Sequence, residues 1–150
     1  MIHQNDPDML PDIQKEGCAY CALAYFGEKY QNQPWTAQAL NSIWNIAKHN
    51  GIIDSTNTIT NWQALCNLLG LHLKYVDGHF SIDSAKAQGC YTICAWYNPN
   101  TKFTHFVVGT SKPVEYDPIK SDIGPLYGSK TVREGYPKKE DGLRIFQILA

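Results

Sequence analysis

The stretch GCAYCALAYFGEKY, residues 17–30, decides how the rest of the chain is read. It is rich in alanine, leucine and aromatic residues and free of helix breakers until Gly27, which predicts a buried helix opening at Gly17-Cys18. Upstream, residues 1–12 are polar and carry Pro7 and Pro11, so they read as an extended lead-in. Downstream, Trp35, Ala39, Leu40, Ile43, Trp44 and Ala47 recur at three- and four-residue steps after Pro34, and Asn50-Gly51 stops them. That spacing predicts a second helix with an inward stripe. Thr60 reads as the N-cap of a third helix, with Leu65, Cys66, Leu68 and Leu69 on its apolar side and Gly70 as its stop.

Beyond residue 70 the pattern changes to alternation. LHLKYV, CYTICAWY, THFVVGT and VEYDP are short and rich in β-branched and aromatic residues, with turn signals at Asp77-Gly78 and Asn98-Pro99-Asn100 between them. LRIFQIL alternates as a further strand, and SKTVREGY before it reads as another. Helices first and an antiparallel sheet afterwards predict an α+β fold, with the helices packed on one side of the sheet.

Composition sets limits on function. The 150 residues are 43% hydrophobic and 18% charged, the size and balance of one globular domain spanning residues 1–150. Thirteen Lys plus Arg against fourteen Asp plus Glu give a net charge of -1, so no basic footprint for nucleic acid or an anionic membrane exists. No apolar run approaches the roughly 20 residues of a membrane span, and the first residues lack signal-peptide character, so the expected location is cytoplasmic. Five cysteines, an odd number, do not make a disulfide scaffold and leave at least one free thiol.

Chemistry concentrates in three places. Cys18 stands at the start of the buried helix, with Gln14 just upstream; unpaired N–H groups and the positive end of the helix dipole favour its thiolate there. The competing reading of Cys18 is a small buried apolar residue. His105 opens the apolar strand THFVVGT, where its ring can meet a thiolate as base or imidazolium partner, or serve as a hydrogen-bonded structural histidine. Asp117 lies one hairpin strand further on, where a carboxylate can fix the imidazole tautomer, although Asp-Pro is also a common turn starter. His3, His49, His72 and His79 sit in the lead-in, at a helix end, at a strand start and in a turn.

A glutamine, a cysteine at a helix start, then histidine and aspartate on consecutive strands form a recognisable order. With GCAYCALAYF and HFVVGTSKPVEYDP, the chain resembles papain-like cysteine peptidases, most closely the compact bacterial branch that trims double-glycine leader peptides from bacteriocin precursors. The resemblance implies a papain-like fold, Cys18 as nucleophile, His105 as base and later acid, Asp117 as orienting carboxylate and Gln14 as oxyanion donor. Gln14 stands closer to the cysteine than the family's glutamine usually does, and Ala19-Tyr20 replaces the glycine that often follows the nucleophile. Cys21, one turn inside the helix, is the rival nucleophile. The implied reaction is acyl transfer through a thioester on a peptide or protein substrate, with no cofactor and no metal.

Three other readings compete. Cys18-x2-Cys21 and Cys90-x3-Cys94 have ligand spacing for a structural zinc site of four cysteines. Residues 36–69 form a candidate helix-turn-helix, but its third helix offers only Asn61, Gln63 and Asn67 toward bases and no cation. A papain-like domain can also be a catalytically silent binding module. Trp96, on the strand before that of His105, is placed to line a substrate cleft.

Overall fold

The structure, a computed structural model, describes residues 1–124 and 127–149, and at residues 77 and 78 the backbone alone. The polar lead-in is not extended throughout. Pro11, whose fixed φ suits a first helical turn and whose missing N–H is not needed there, opens the short helix α1 (Pro11–Glu16). Gly17 closes α1 and starts α2 (Cys18–Tyr30). Its N–H bonds the Ile13 carbonyl at 2.8 Å, and its own carbonyl receives the Cys21 N–H at 2.9 Å. A β-carbon at residue 17 would lie 2.6 Å from the Ile13 carbonyl oxygen, so only glycine lets the two helices abut this closely.

Helix α2 continues through Gly27, and every residue from Tyr20 to Gly27 is buried, as expected of a helix that is apolar all round. Helix α3 (Ala37–His49) is capped by the Thr36 side chain, which accepts the Ala39 N–H, and turns Leu40, Trp44 and Ala47 inward. Helix α4 (Trp62–Leu68) is capped by Asn61, whose Oδ1 accepts the Ala64 N–H at 2.9 Å. Thr60, the expected cap, donates its hydroxyl to the Gly51 carbonyl at 2.7 Å instead. Gly70, at φ +71°, supplies the left-handed residue that leads out of α4.

The sheet comprises β1 (Leu73–Phe80), β2 (Tyr91–Asn98), β3 (Phe103–Val107), β4 (Tyr136–Pro137) and β5 (Leu143–Ile148). Strand order is β1-β5-β2-β3, with β4 beside β2, and every pairing is antiparallel. The fold is therefore α+β. Asp77-Gly78 does not turn the chain; the backbone there stays within β1, whose register against β5 shifts between Val76 and Phe80. VEYDP forms no full strand, only the bridge Val108–Tyr116. SKTVREGY is helical, not extended: α5 (Lys130–Glu134) precedes β4, and Val132 is its one buried side chain. A single apolar residue in a polar stretch fits either period, and here packing chose the helix.

Helices lie against both faces of the sheet, not one. Alternation along β2 and β5 sends Ile93 and Phe146 into a core shared with α2, α3 and α4, and Cys94, Trp96, Leu143 and Ile145 into a second core closed by Val132 of α5. Helix α2 packs on β2 and β3, which brings the start of α2 to the free edge of β3. Among the described residues no helix is long and apolar enough to cross a membrane.

Candidate functional site

Cys18 is the first residue of α2, where the helix leaves N–H groups without carbonyl partners. It is partly exposed and lies on the wall of a cleft of about 270 Å³. The edge strand β3 brings His105 beside it, close enough for the imidazole's hydrogen bonding and charge to act on the Cys18 thiol. His105 Nε2 lies 2.6 Å from Asp117 Oδ1, so Nδ1 is the ring nitrogen that the aspartate does not engage.

The aspartate reaches the ring because the chain doubles back. Gly109, at φ +135°, turns out of β3, and a β-carbon there would come within 3.0 Å of the Glu115 N and Val114 Cα backbone atoms. The Val108–Tyr116 bridge then sets Asp117 beside His105. Two backbone N–H groups hold the carboxylate, from Ile119 to Oδ1 at 3.0 Å and from Ser129 to Oδ2 at 2.8 Å. Trp96 does not line the cleft. It is 1% exposed, and its indole N–H donates to the Gly109 carbonyl at 2.9 Å, bracing the same turn.

Electrostatics favour a charged pair. Burial pushes the Cys18 thiol up, but the His105 hydrogen bond and charge, with backbone hydrogen bonds at Phe106 and Ala19, outweigh it and hold the pKa below the ordinary thiol value. Burial pushes His105 down, yet the hydrogen bonds to Asp117 and Cys18 and their charges raise it to about 9. Burial also pushes Asp117 up, and the His105 and Ser129 contacts more than reverse this, so it stays ionised. The arrangement is a thiol of lowered pKa beside a histidine of raised pKa held by a carboxylate. A thiolate so placed can attack a carbonyl carbon, and the ring can give up a proton to a leaving group.

Gln14 is not at this site. The side-chain N–H groups of Gln14 donate to the carbonyls of Asp6 at 3.1 Å, Pro7 at 3.4 Å and Met9 at 2.9 Å. The reason is α1 itself, which the extended reading missed: once residues 11–16 are helical, Gln14 faces the N-terminal loop. A buried glutamine that the sequence reading passed over, Gln4, ties this loop to the aspartate's segment. Its N–H donates to the Pro118 carbonyl at 2.7 Å and its side-chain amide to the Gln14 carbonyl at 3.1 Å. Cys21 is fully buried, which pushes its thiol far up and removes it as a nucleophile at neutral pH.

Of the other histidines, His79 lies on β1, not in a turn; it lines the cleft and pairs with Asp141 at 2.7 Å. His3 packs its ring on Tyr116 at 5.7 Å. The thiols of the alternative zinc arrangement are divided, Cys21 lying in the core under α2 and Cys94 in the core on the opposite sheet face. Among the described residues no three His, Cys, Asp or Glu side chains are grouped to hold a metal ion.

Trp44 and Trp62, for which the sequence allows core or groove-wall roles, line the cleft, whereas its other walls were not legible. Tyr20, Trp44, Ile59, Trp62 and Phe106 come from four separated segments, and Arg144 from the last strand. Arg144 is marked in the sequence as a lone cation in the alternating run LRIFQIL. A family model described as "Protein of unknown function, DUF261" matches residues 1–133, a span that holds Cys18, His105 and Asp117. No curated protein and no solved structure matches the chain.

Proposed function

The chain belongs to the DUF261 family, and from the surroundings of Cys18 we propose that it is a cysteine hydrolase of papain-like fold acting on peptide or isopeptide bonds. One observation carries this reading: a helix-opening thiol on a cleft wall lies beside an imidazole whose Nε2 is held by Asp117. A structural histidine has no need of a depressed thiol beside it, and a structural cysteine has no need of an opening to solvent.

The chemistry follows from the charges. The Cys18 thiolate attacks the amide carbon, forming a C–S bond and placing the carbonyl electron pair on oxygen. As the oxyanion collapses the C–N bond breaks, and the proton on His105 goes to the departing amine. Neutral His105 then takes a proton from water as its oxygen attacks the thioester carbon, and the C–S bond breaks to return thiolate, imidazolium and a free acid. Asp117 keeps the ring oriented and stabilises its charged form without itself becoming protonated. With Gln14 turned away, the oxyanion falls to backbone N–H groups at the start of α2, whose dipole favours negative charge.

The test is to incubate the protein with a peptide library and follow both cleavage and covalent adducts by mass spectrometry. The expected result is cleavage of a subset of peptides, with an acyl group on Cys18 after acid quench, and neither in Cys18→Ala. Cleavage that persists in Cys18→Ala overturns the proposal.

A further inference from the structure

The cleft beside Cys18 has an apolar interior and carries the guanidinium of Arg144 in its lining. Trp44, Trp62, Ile59 and Phe106 form its walls, with Glu16 on the rim and Arg144 in the wall. Glu16 is exposed and accepts from Asn57 Nδ2 at 3.3 Å. His79 is engaged by Asp141. Arg144 differs. Its guanidinium is half-buried, lies 5.4 Å from the centroid of the Phe106 ring, and donates to the Asp141 carbonyl at 3.1 Å. Among the described residues no carboxylate pairs with it.

A guanidinium presents a planar fork that matches a carboxylate, and out of bulk water such a pairing is stronger than at an open surface. Among the described residues the fork donates to one carbonyl, so N–H groups remain for a ligand's carboxylate. Burial pushes Arg144 down from the usual guanidinium value, against the opposing influence of Tyr75 and Cys94. Phe106 links Cys18 and Arg144, because its backbone bonds the first and its ring lies under the second.

We propose that the cleft selects peptides with a large apolar side chain and a carboxylate near the scissile bond, the side chain lying between Trp44 and Trp62 and the carboxylate on Arg144. This rests on Cys18 being the nucleophile of the reading above. The carboxylate has two sources, an acidic side chain or a chain terminus, and both present the same two oxygens to the fork.

The experiment measures inactivation of the full chain by two matched pairs of covalent probes, with the Cys18 adduct counted by mass spectrometry. Acetyl-Phe-Glu and acetyl-Phe-Gln chloromethyl ketones differ in a side-chain carboxylate; a peptidyl epoxysuccinate as free acid and as amide differs in a terminal one. At least a tenfold preference for the acid is expected in one pair, which identifies the source. The acid-to-amide ratio should collapse toward one in Arg144→Gln and be partly restored in Arg144→Lys. Equal rates within both pairs in the unaltered protein, or a preference that survives Arg144→Gln, overturn the proposal. Iodoacetamide separates the two levels: rapid Cys18 labelling without acid preference sinks the specificity alone, whereas slow Cys18 labelling sinks the nucleophile and the specificity with it.

Discussion

His105 Nε2 and Asp117 Oδ1 meet at 2.6 Å with both side chains almost wholly buried, so neither charge is screened by water and each holds the other in its ionised form. The consequence reaches the sulfur beside the ring. A ring kept protonated to about 9 is a fixed positive neighbour for Cys18 across the neutral range.

Alkylation of Cys18 by iodoacetamide should therefore proceed at a pH well below the ordinary thiol value of about 8.5. His105→Ala removes the largest of the influences that lower the Cys18 pKa and should move the profile upward. Peptide mapping after a brief exposure should find Cys18 labelled first, with Cys66 and Cys94 protected because burial raises both to about 12. Labelling of Cys21 before Cys18 is the outcome that contradicts the assignment.

Replacing the carboxylate tests the other side of the ring. Asp117→Asn removes the negative charge that raises His105 and leaves only a neutral acceptor, so the loss of peptide cleavage on the alkaline side should begin below the value of about 9 set by the intact pair. The downward displacement of that limb is the readout, because a merely structural loss lowers the rate without moving the profile.

Stability should carry the same signature. The Asp117 pKa is depressed below 3.8, so its contribution is present above that pH and is lost as pH falls through the lower folded value. His105 is raised above 6.5, so its contribution is complete below 6.5 and is lost as pH rises through about 9. The gap in melting temperature between the unaltered protein and Asp117→Asn should be widest between about pH 4 and 6.5 and should narrow toward both extremes. A gap that does not vary with pH contradicts the ion pair.

Gln14→Ala separates scaffold from chemistry. It removes the donors to three loop carbonyls, which should cost about 1 kcal/mol in chemical denaturation, while the rate and pH profile of Cys18 alkylation stay as they were. A collapse of peptide cleavage with unchanged stability would return Gln14 to the site.

Gly17→Ala addresses the junction that presents Cys18. The new methyl would sit 2.6 Å from the Ile13 carbonyl oxygen and 2.7 Å from Ile13 Cγ2, so α1 and α2 must separate. The expected cost is about 1–3 kcal/mol, together with slower alkylation as the helix start moves from His105.

Several elements were legible in the residues before any coordinates. The run from Cys18 to Tyr30 has no other solution than a buried helix, and α3 follows from apolar steps of three and four residues. Strands β2 and β5 show their alternation directly, and the two faces of that alternation fill two cores. Where the reading failed, the local signal was weak or shared. Thr60 and Asn61 are both good caps, and only the hydroxyl's bond to Gly51 decided between them. Residues 129–136 have too few apolar positions to fix a period, and α1 is short enough that Pro11 alone announces it.

The order of residues settles the chemistry on offer along the chain: a thiol at a helix start, then an imidazole, then a carboxylate before a proline. Local patterning suffices for that, because helix starts, apolar runs and turns are written in consecutive residues. It took the packed chain to bring residues 18, 105 and 117 together, to turn Gln14 away, and to place Arg144 from the last strand in one cleft with Cys18. Those relations depend on how the start of α2 packs against the free edge of β3 and on a single bridge between residues 108 and 116. Such contacts join residues distant in the chain, and burial and packing select them where no short stretch of sequence can record them.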